Sequence, residues 1–141
     1  MRFDLIDAVI STSDNRIVAV KNVVAAEEYL QDHFPSFPIL PGVFMLETMV
    51  QAARKLIDSR PDAAPHTRYV LSAVRGLKYG AMVRPGDSLT VDVTLSPPDA
   101  DGAFECKGSG SVSPSAPLAS DTPQPRNAVS GKFTLRPLRS S

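Results

Sequence analysis

Two side chains in one short stretch of this chain are equipped to move protons: the imidazole of His33 and the carboxylate of Glu47. An unperturbed imidazole titrates near neutrality and is the usual general base. A carboxylate on a helix flank, if taken out of water, holds its proton more tightly and can donate it. Between the two lie Gly42 and Val43, where a helix begins, and the first amides of a helix have no intrahelical acceptor. Such amides stabilise a developing oxyanion, and Gly42 has no side chain to block a carbonyl. A base, an acid and an oxyanion hole suffice to remove a proton beside a thioester carbonyl with loss of a β-hydroxyl. Each group also has a plainer reading. A lone histidine ahead of a proline loop is more often a structural hydrogen-bonder, and a glutamate on a helix flank is usually just solvated. Residue types and spacing alone stop at a small α+β domain with a candidate acid–base site.

The elements around that stretch must hold it in place. Pro35, Pro38 and Pro41 fix φ and bar helix before Pro41, and a proline suits the first helical turn that follows. Leu46, Met49, Val50, Ala53, Leu56 and Ile57 then recur at helical spacing, with Glu47, Gln51, Arg54 and Asp58 on the flank of the apolar arc. The helix is expected to end near Arg60 and Pro61. Ahead of it, residues 3–11 and 16–24 read as a hairpin around Ser13-Asp14-Asn15. Behind it, residues 68–83 are extended, with Gly76 and Gly80 suggesting bends or bulges. Arg84-Pro85-Gly86-Asp87 is a turn. Leu89, Val91, Val93 and Leu95 alternate with polar residues as a half-buried strand. Pro97 to Gly102 is a second turn. Phe104, Cys106, Gly108, Gly110 and Val112 form one face of a strand whose small residues suggest that something packs close to it. Residues 113–127 are rich in Ser, Pro and Ala and read as a mobile hairpin loop. Residues 128–135 are the last strand, and the tail from Arg136 is expected to fray. One central helix and about six antiparallel strands fit an α+β domain, residues 1–141, in which a single sheet curls around the helix.

The bulk numbers exclude several function classes. The 141 residues make one domain, 43% hydrophobic and 21% charged, enough for one real core. Fifteen basic and fifteen acidic residues cancel, against the basic surplus of a nucleic-acid binder, although a local basic patch for an acidic partner is compatible with that balance. Cys106 is the only cysteine, so no intrachain disulfide forms, and a half-buried strand position is its expected place. No apolar run approaches the ~20 residues of a membrane span. No signal-peptide pattern opens the chain, and a cytoplasmic protein is the expectation. His66 has no acid or cysteine at ligand spacing and reads as a surface-loop residue. There is no phosphate loop, metal-ligand cluster or Ser/His/Asp signature.

The stretch also resembles a known family. The pattern His-Phe-Pro-x-x-Pro-x-x-Pro-Gly-Val-x-x-x-Glu-x-x-x-Gln, from His33 to Gln51, is similar to the signature of the 3-hydroxyacyl-[acyl carrier protein] dehydratases of the FabZ/FabA type, with every fixed position present. Residues 3–9 and 17–23 look like that family's first two strands, Val83-Arg84-Pro85-Gly86-Asp87 like one of its turns, and Phe104 to Gly108 like its penultimate strand. The resemblance implies a hot-dog fold and a homodimer with a continuous sheet, often assembled further into a trimer of dimers. It implies His33 as catalytic base, an oxyanion amide from Gly42, and Glu47 supplied by the other subunit. The substrate would be a (3R)-3-hydroxyacyl chain on the phosphopantetheine arm of acyl carrier protein, and the products a trans-2-enoyl thioester and water. No metal or nucleotide cofactor is implied. Candidate substrate contacts are Gly42, Val43, Phe34, Phe44 and Gln51.

The chain departs from the family pattern in three places. Asp32 and Ser36 stand where the family usually has glycine, the family's Pro-His-Arg-Tyr-Pro lead-in has no counterpart ahead of Phe3, and the loop at 113–127 is unusual for it. A specialised relative, as in polyketide or secondary lipid synthesis, fits these departures. The alternatives are a hot-dog acyl thioesterase, which usually lacks the His-Phe-Pro loop, and a non-catalytic acyl-binding or scaffold relative. The dehydratase/isomerase variant typically has Asp at the position of Glu47, which makes isomerisation the weaker expectation.

Overall fold

The computed structural model describes residues 5–23, 40, 42–60, 67–113 and 126–138. His33, Phe34, Asp32, Ser36 and His66 lie outside the described residues, as does the stretch 114–125. The elements run β1 (Ala8–Thr12), β2 (Arg16–Asn22), α1 (Gly42–Asp58), β3 (Arg68–Tyr79), β4 (Ser88–Leu95), β5 (Phe104–Ser113) and β6 (Arg126–Leu138). All six strands join one antiparallel sheet in the order β1-β2-β4-β5-β6-β3.

The helix forms where the apolar arc predicts it, and it packs across β2, β4, β5, β6 and β3. Met49, Val50, Ala52 and Ala53 are fully buried, Leu56 and Ile57 nearly so. Leu46, expected in the same face, is only partly buried and packs against the edge of the core. Thr48 is buried too; its hydroxyl donates to the Phe44 carbonyl at 2.7 Å, so its polar atom needs no water. At the other end Ser59 Oγ donates to the Leu56 carbonyl at 2.8 Å, answering one of the orphan acceptors of the last turn.

The sheet supplies the other half of the core through strict alternation. Leu89, Val91, Val93 and Leu95 of β4 point inward, and Thr90, Asp92 and Thr94 point out. On β5 the small inner residues have a direct cause. A Cβ on Gly108 would stand 2.7 Å from Met49 Sδ, so the helix seats against bare backbone there. Cys106 is fully buried on this face, not half-buried, because β4 and β6 flank it on both sides and the core lies beneath it.

Strand limits differ from the sequence expectation in instructive ways. The first strand begins at Ala8, not at residue 3. Leu5 is nevertheless buried, and its amide donates to Gln51 Oε1 of α1 at 2.7 Å instead of joining a ladder. The third strand stops at Tyr79, after a bulge between Arg75 and Lys78 in which Gly76 adopts φ +61°. The last strand is longer at both ends than expected. Arg126 and Asn127 pair with β5, and Arg136, Pro137 and Leu138 pair with Val70, Tyr69 and Arg68. The start of the tail is therefore held by a partner strand rather than frayed, and the loop after Ser113 is shorter than 113–127.

Candidate active site

Five of the candidate residues, Gly42, Val43, Phe44, Glu47 and Gln51, lie in the first half of α1. Helical spacing puts Val43, Glu47 and Gln51 in one row, with Arg54 a turn beyond Gln51. Phe44 turns towards the core and packs partly against it, whereas Val43 is 64% exposed. The other two candidates, His33 and Phe34, fall on residues that are not described.

Gln51 and Arg54 hold Glu47 from the same helix. Gln51 Nε2 donates to Glu47 Oε1 at 3.4 Å, and Arg54 Nη1 lies 3.7 Å from the same oxygen. Both partners are themselves anchored. Gln51 accepts the Leu5 amide, and Arg54 Nε donates to the Tyr69 carbonyl of β3 at 2.9 Å. The Glu47 side chain is 37% exposed. The desolvation that would raise its hold on a proton is not what the single chain shows. It lies on the flank facing a cation, because the apolar arc turns the neighbouring positions, not Glu47, into the core. What the arrangement provides is a carboxylate of fixed direction, a turn and a half inside a helix N-terminus.

The Tyr79 ring lies against that N-terminus. A Cβ on Gly42 would lie 2.7 Å from Tyr79 Cζ and 3.1 Å from its hydroxyl, so glycine is what lets the ring approach the first turn. Partial burial pushes the Tyr79 phenol above its ordinary pKa. The backbone leading into the helix is tied to the same region, since the Leu40 amide donates to the Val83 carbonyl at 2.7 Å. The sequence pattern puts Arg54 on the helix flank with no role; its spacing of seven from Glu47 is the available signal. Tyr79 gave none, because its approach to Gly42 depends on the path of the chain from α1 back through β3. Among the described residues no group of His, Cys, Asp or Glu side chains could hold a metal ion. No helix of the described residues is long and apolar enough to cross a membrane.

This geometry can be set beside known proteins. The model of the ApeI-like family, described as ApeI dehydratase, matches residues 9–116. A 3-hydroxyacyl-[acyl-carrier-protein] dehydratase FabZ from Polaromonas sp. is 40% identical over 107 residues, 74% of this chain and 73% of that one. The FabZ of Lactococcus lactis subsp. cremoris is 39% identical over 89 residues, 63% of this chain and 61% of its own length. The chain thus spans under two thirds of some of the curated relatives it matches. Among solved structures, the dehydratase heterocomplex ApeI:P from Xenorhabdus doucetiae superposes with a TM-score of 0.64 at 15% identity, covering 96% of this chain and 99% of that one. At that identity the superposition speaks for the hot-dog fold alone, which the six-stranded sheet and the central helix of the described residues display. The chain belongs to the FabZ-type, ApeI-like dehydratase family.

Proposed function

We propose that the chain is a hydro-lyase that converts a (3R)-3-hydroxyacyl thioester on acyl carrier protein into the trans-2-enoyl thioester and water, in fatty acid or polyketide-type synthesis in the cytoplasm. The observation that carries this reading is the signature from His33 to Gln51, within a chain 40% identical to a FabZ over 107 residues. Fold alone would not separate a dehydratase from a thioesterase, because one fold hosts many chemistries.

In this reading His33 takes the α-proton while the thioester oxygen leans on the Gly42 amide. The electron pair forms the α,β double bond as the β-carbon–oxygen bond breaks, and Glu47, protonated or through a water, delivers a proton to the departing hydroxyl, releasing water. Val43, Phe34, Phe44 and Gln51 line the path of the pantetheine arm and acyl chain. The chemistry asks for no metal or cofactor. His33 and Glu47 meet across a homodimer, and the sheet supports such pairing. β3 is a twelve-residue edge strand whose Leu71 and Val74 are exposed, and Tyr79, Met82 and Val43 add to that apolar margin.

The reaction is tested in reverse. Crotonyl thioester should be hydrated to the 3-hydroxy product, read as loss of the enoyl chromophore without release of thiol. Release of free thiol instead would mark a thioesterase. Sedimentation at micromolar concentration should show a dimer of identical chains; a monomer that dimerises only with a second, non-identical dehydratase chain would replace the homodimer.

A further inference from the structure

The outer face of the sheet, away from α1, carries a groove of about 870 Å³. Two neighbouring rows of side chains cross the strands there. One runs Arg16, Thr94, Lys107, Lys132, Arg75, and the next runs Asp92, Ser109, Ser130, Lys78. Five cations and a single carboxylate thus line one groove of a chain whose formal net charge is zero.

The pairing within the groove leaves its centre positive. Asp92 is taken by Arg16 at 2.6 Å, and Glu105, beside the groove, is taken by Arg75 at 2.6 Å. Among the described residues no carboxylate pairs with Lys78, Lys107 or Lys132. Lys107 stands directly opposite Lys132 on adjacent antiparallel strands. Like charges in that position work against the fold, at a strand separation of about 4.8 Å. An anion seated between them reverses the sign of that interaction. The half-buried hydroxyls of Ser109 and Ser130, opposite one another beside the lysines, offer the short donors such an anion needs.

The geometry points to a binding site on this outer face for a compact phosphoryl-bearing ligand, held between Lys107 and Lys132 over Ser109 and Ser130, with Lys78 beside it. The size is that of a small-molecule cleft. Apart from the Thr94 methyl and the methylene stems of its lysines and arginines, the lining contains no aliphatic side chain, and it contains no aromatic one. It therefore offers no aromatic platform for a nucleobase and no wall of branched aliphatic side chains for an acyl chain. It also lacks the apolar anchors on which protein interfaces depend. A charge-dense group on a small polar carrier is what this chemistry recognises. The site lies behind the sheet from Glu47 and does not depend on the activity proposed for α1.

The test titrates sodium diphosphate into the full chain at fixed ionic strength, by calorimetry and by thermal shift. Saturable one-to-one binding is expected, weakened at least tenfold in Lys107→Gln/Lys132→Gln and unchanged in Lys55→Gln/Arg126→Gln, which removes the same charge elsewhere. The first variant should melt no lower than the parent without ligand, since it removes a repulsion. Vesicles separate the two sources of a phosphoryl group. Co-flotation with phosphatidate in phosphatidylcholine, competed by diphosphate, assigns the group to a lipid headgroup; absence of flotation alongside diphosphate binding assigns it to a soluble ligand. No saturable diphosphate binding, or equal weakening in both double variants, overturns the site. Binding of polyglutamate without diphosphate overturns it in favour of an acidic protein.

Discussion

Strands β3 and β4 are built from similar apolar residues and live in different worlds. β4 lies between β2 and β5, and each of its apolar residues, from Leu89 to Leu95, is buried against the helix side of the sheet. β3 is half as long again, yet its residues alternate in no clean pattern and most are exposed, Leu71 and Val74 among them. β4 spends its hydrophobicity inside one chain, whereas β3 keeps apolar groups facing outward, and its outer backbone edge pairs with no other strand among the described residues. An edge of that length and character is where the partner of the proposed homodimer would add its own strand. The difference teaches where the unfinished part of the proposed site is: beside β3, next to Tyr79 and the helix N-terminus.

The strongest way to sharpen the comparison is to ask whether chemistry crosses the β3 edge. His33→Ala and Glu47→Gln should each lower activity by about 10²-fold or more, the usual range for a general acid or base. The loss should fall on kcat more than on KM. Mixing the two variants and allowing subunits to exchange should restore activity towards about a quarter of the parent value, because half the dimers become mixed and each has one intact site. No recovery, with exchange shown independently, would mean that both residues serve one subunit's site or that neither takes part.

Next in size is the contrast in stability. Leu89→Ala on β4 and Met49→Ala on the facing helix should each destabilise by about 2–5 kcal/mol, the range for large-to-small changes in a packed core. Val74→Asp on β3 should leave the fold of the chain intact and dissociate the dimer. Chemical denaturation and sedimentation read the two outcomes separately. A β3 variant that unfolds the chain, or a β4 variant that merely dissociates it, would break the distinction.

Much of this architecture was legible in the sequence because periodicity reports burial directly. The alternation from Leu89 to Leu95 and the helical recurrence from Met49 to Ile57 fixed which faces are core, and the glycines of β5 foretold the seat of Met49. What escaped was set by partners far along the chain. Nothing local says that Gln51 will capture the Leu5 amide, or that Arg136 to Leu138 will be held by the start of β3. The site was half legible. The spacing of Gly42, Val43, Glu47 and Gln51 places them in the first half of one helix, whereas the proximity of Tyr79 to Gly42 arises only when β3 returns to the helix N-terminus. The salt-bridged flank of Glu47 shows the limit of a period argument: it locates a residue on an arc without saying what cation stands beside it.

The smallest expected effect concerns Cys106, which reports whether the interior strands stay closed while the edge strand is open. Burial, with a smaller contribution from Glu105, pushes its thiol up to about 12 from an ordinary value of 9.0. The folded chain therefore keeps a proton on Cys106 at pH values where the unfolded chain has lost it. Stability falls with rising pH wherever the folded state binds more protons. The contribution from Cys106 is whole below pH 9 and is lost as pH rises from 9 through about 12. Comparing chemical denaturation at pH 8 and pH 10.5 should show a steeper loss for the parent than for Cys106→Ala, which has no thiol to titrate. Iodoacetamide at pH 8 should label the folded chain at least about 100-fold more slowly than the unfolded one, since the thiolate is the reactive form. Equal pH slopes with fast labelling would mean that β5 opens as readily as β3, and the contrast between closed and open strands would fail.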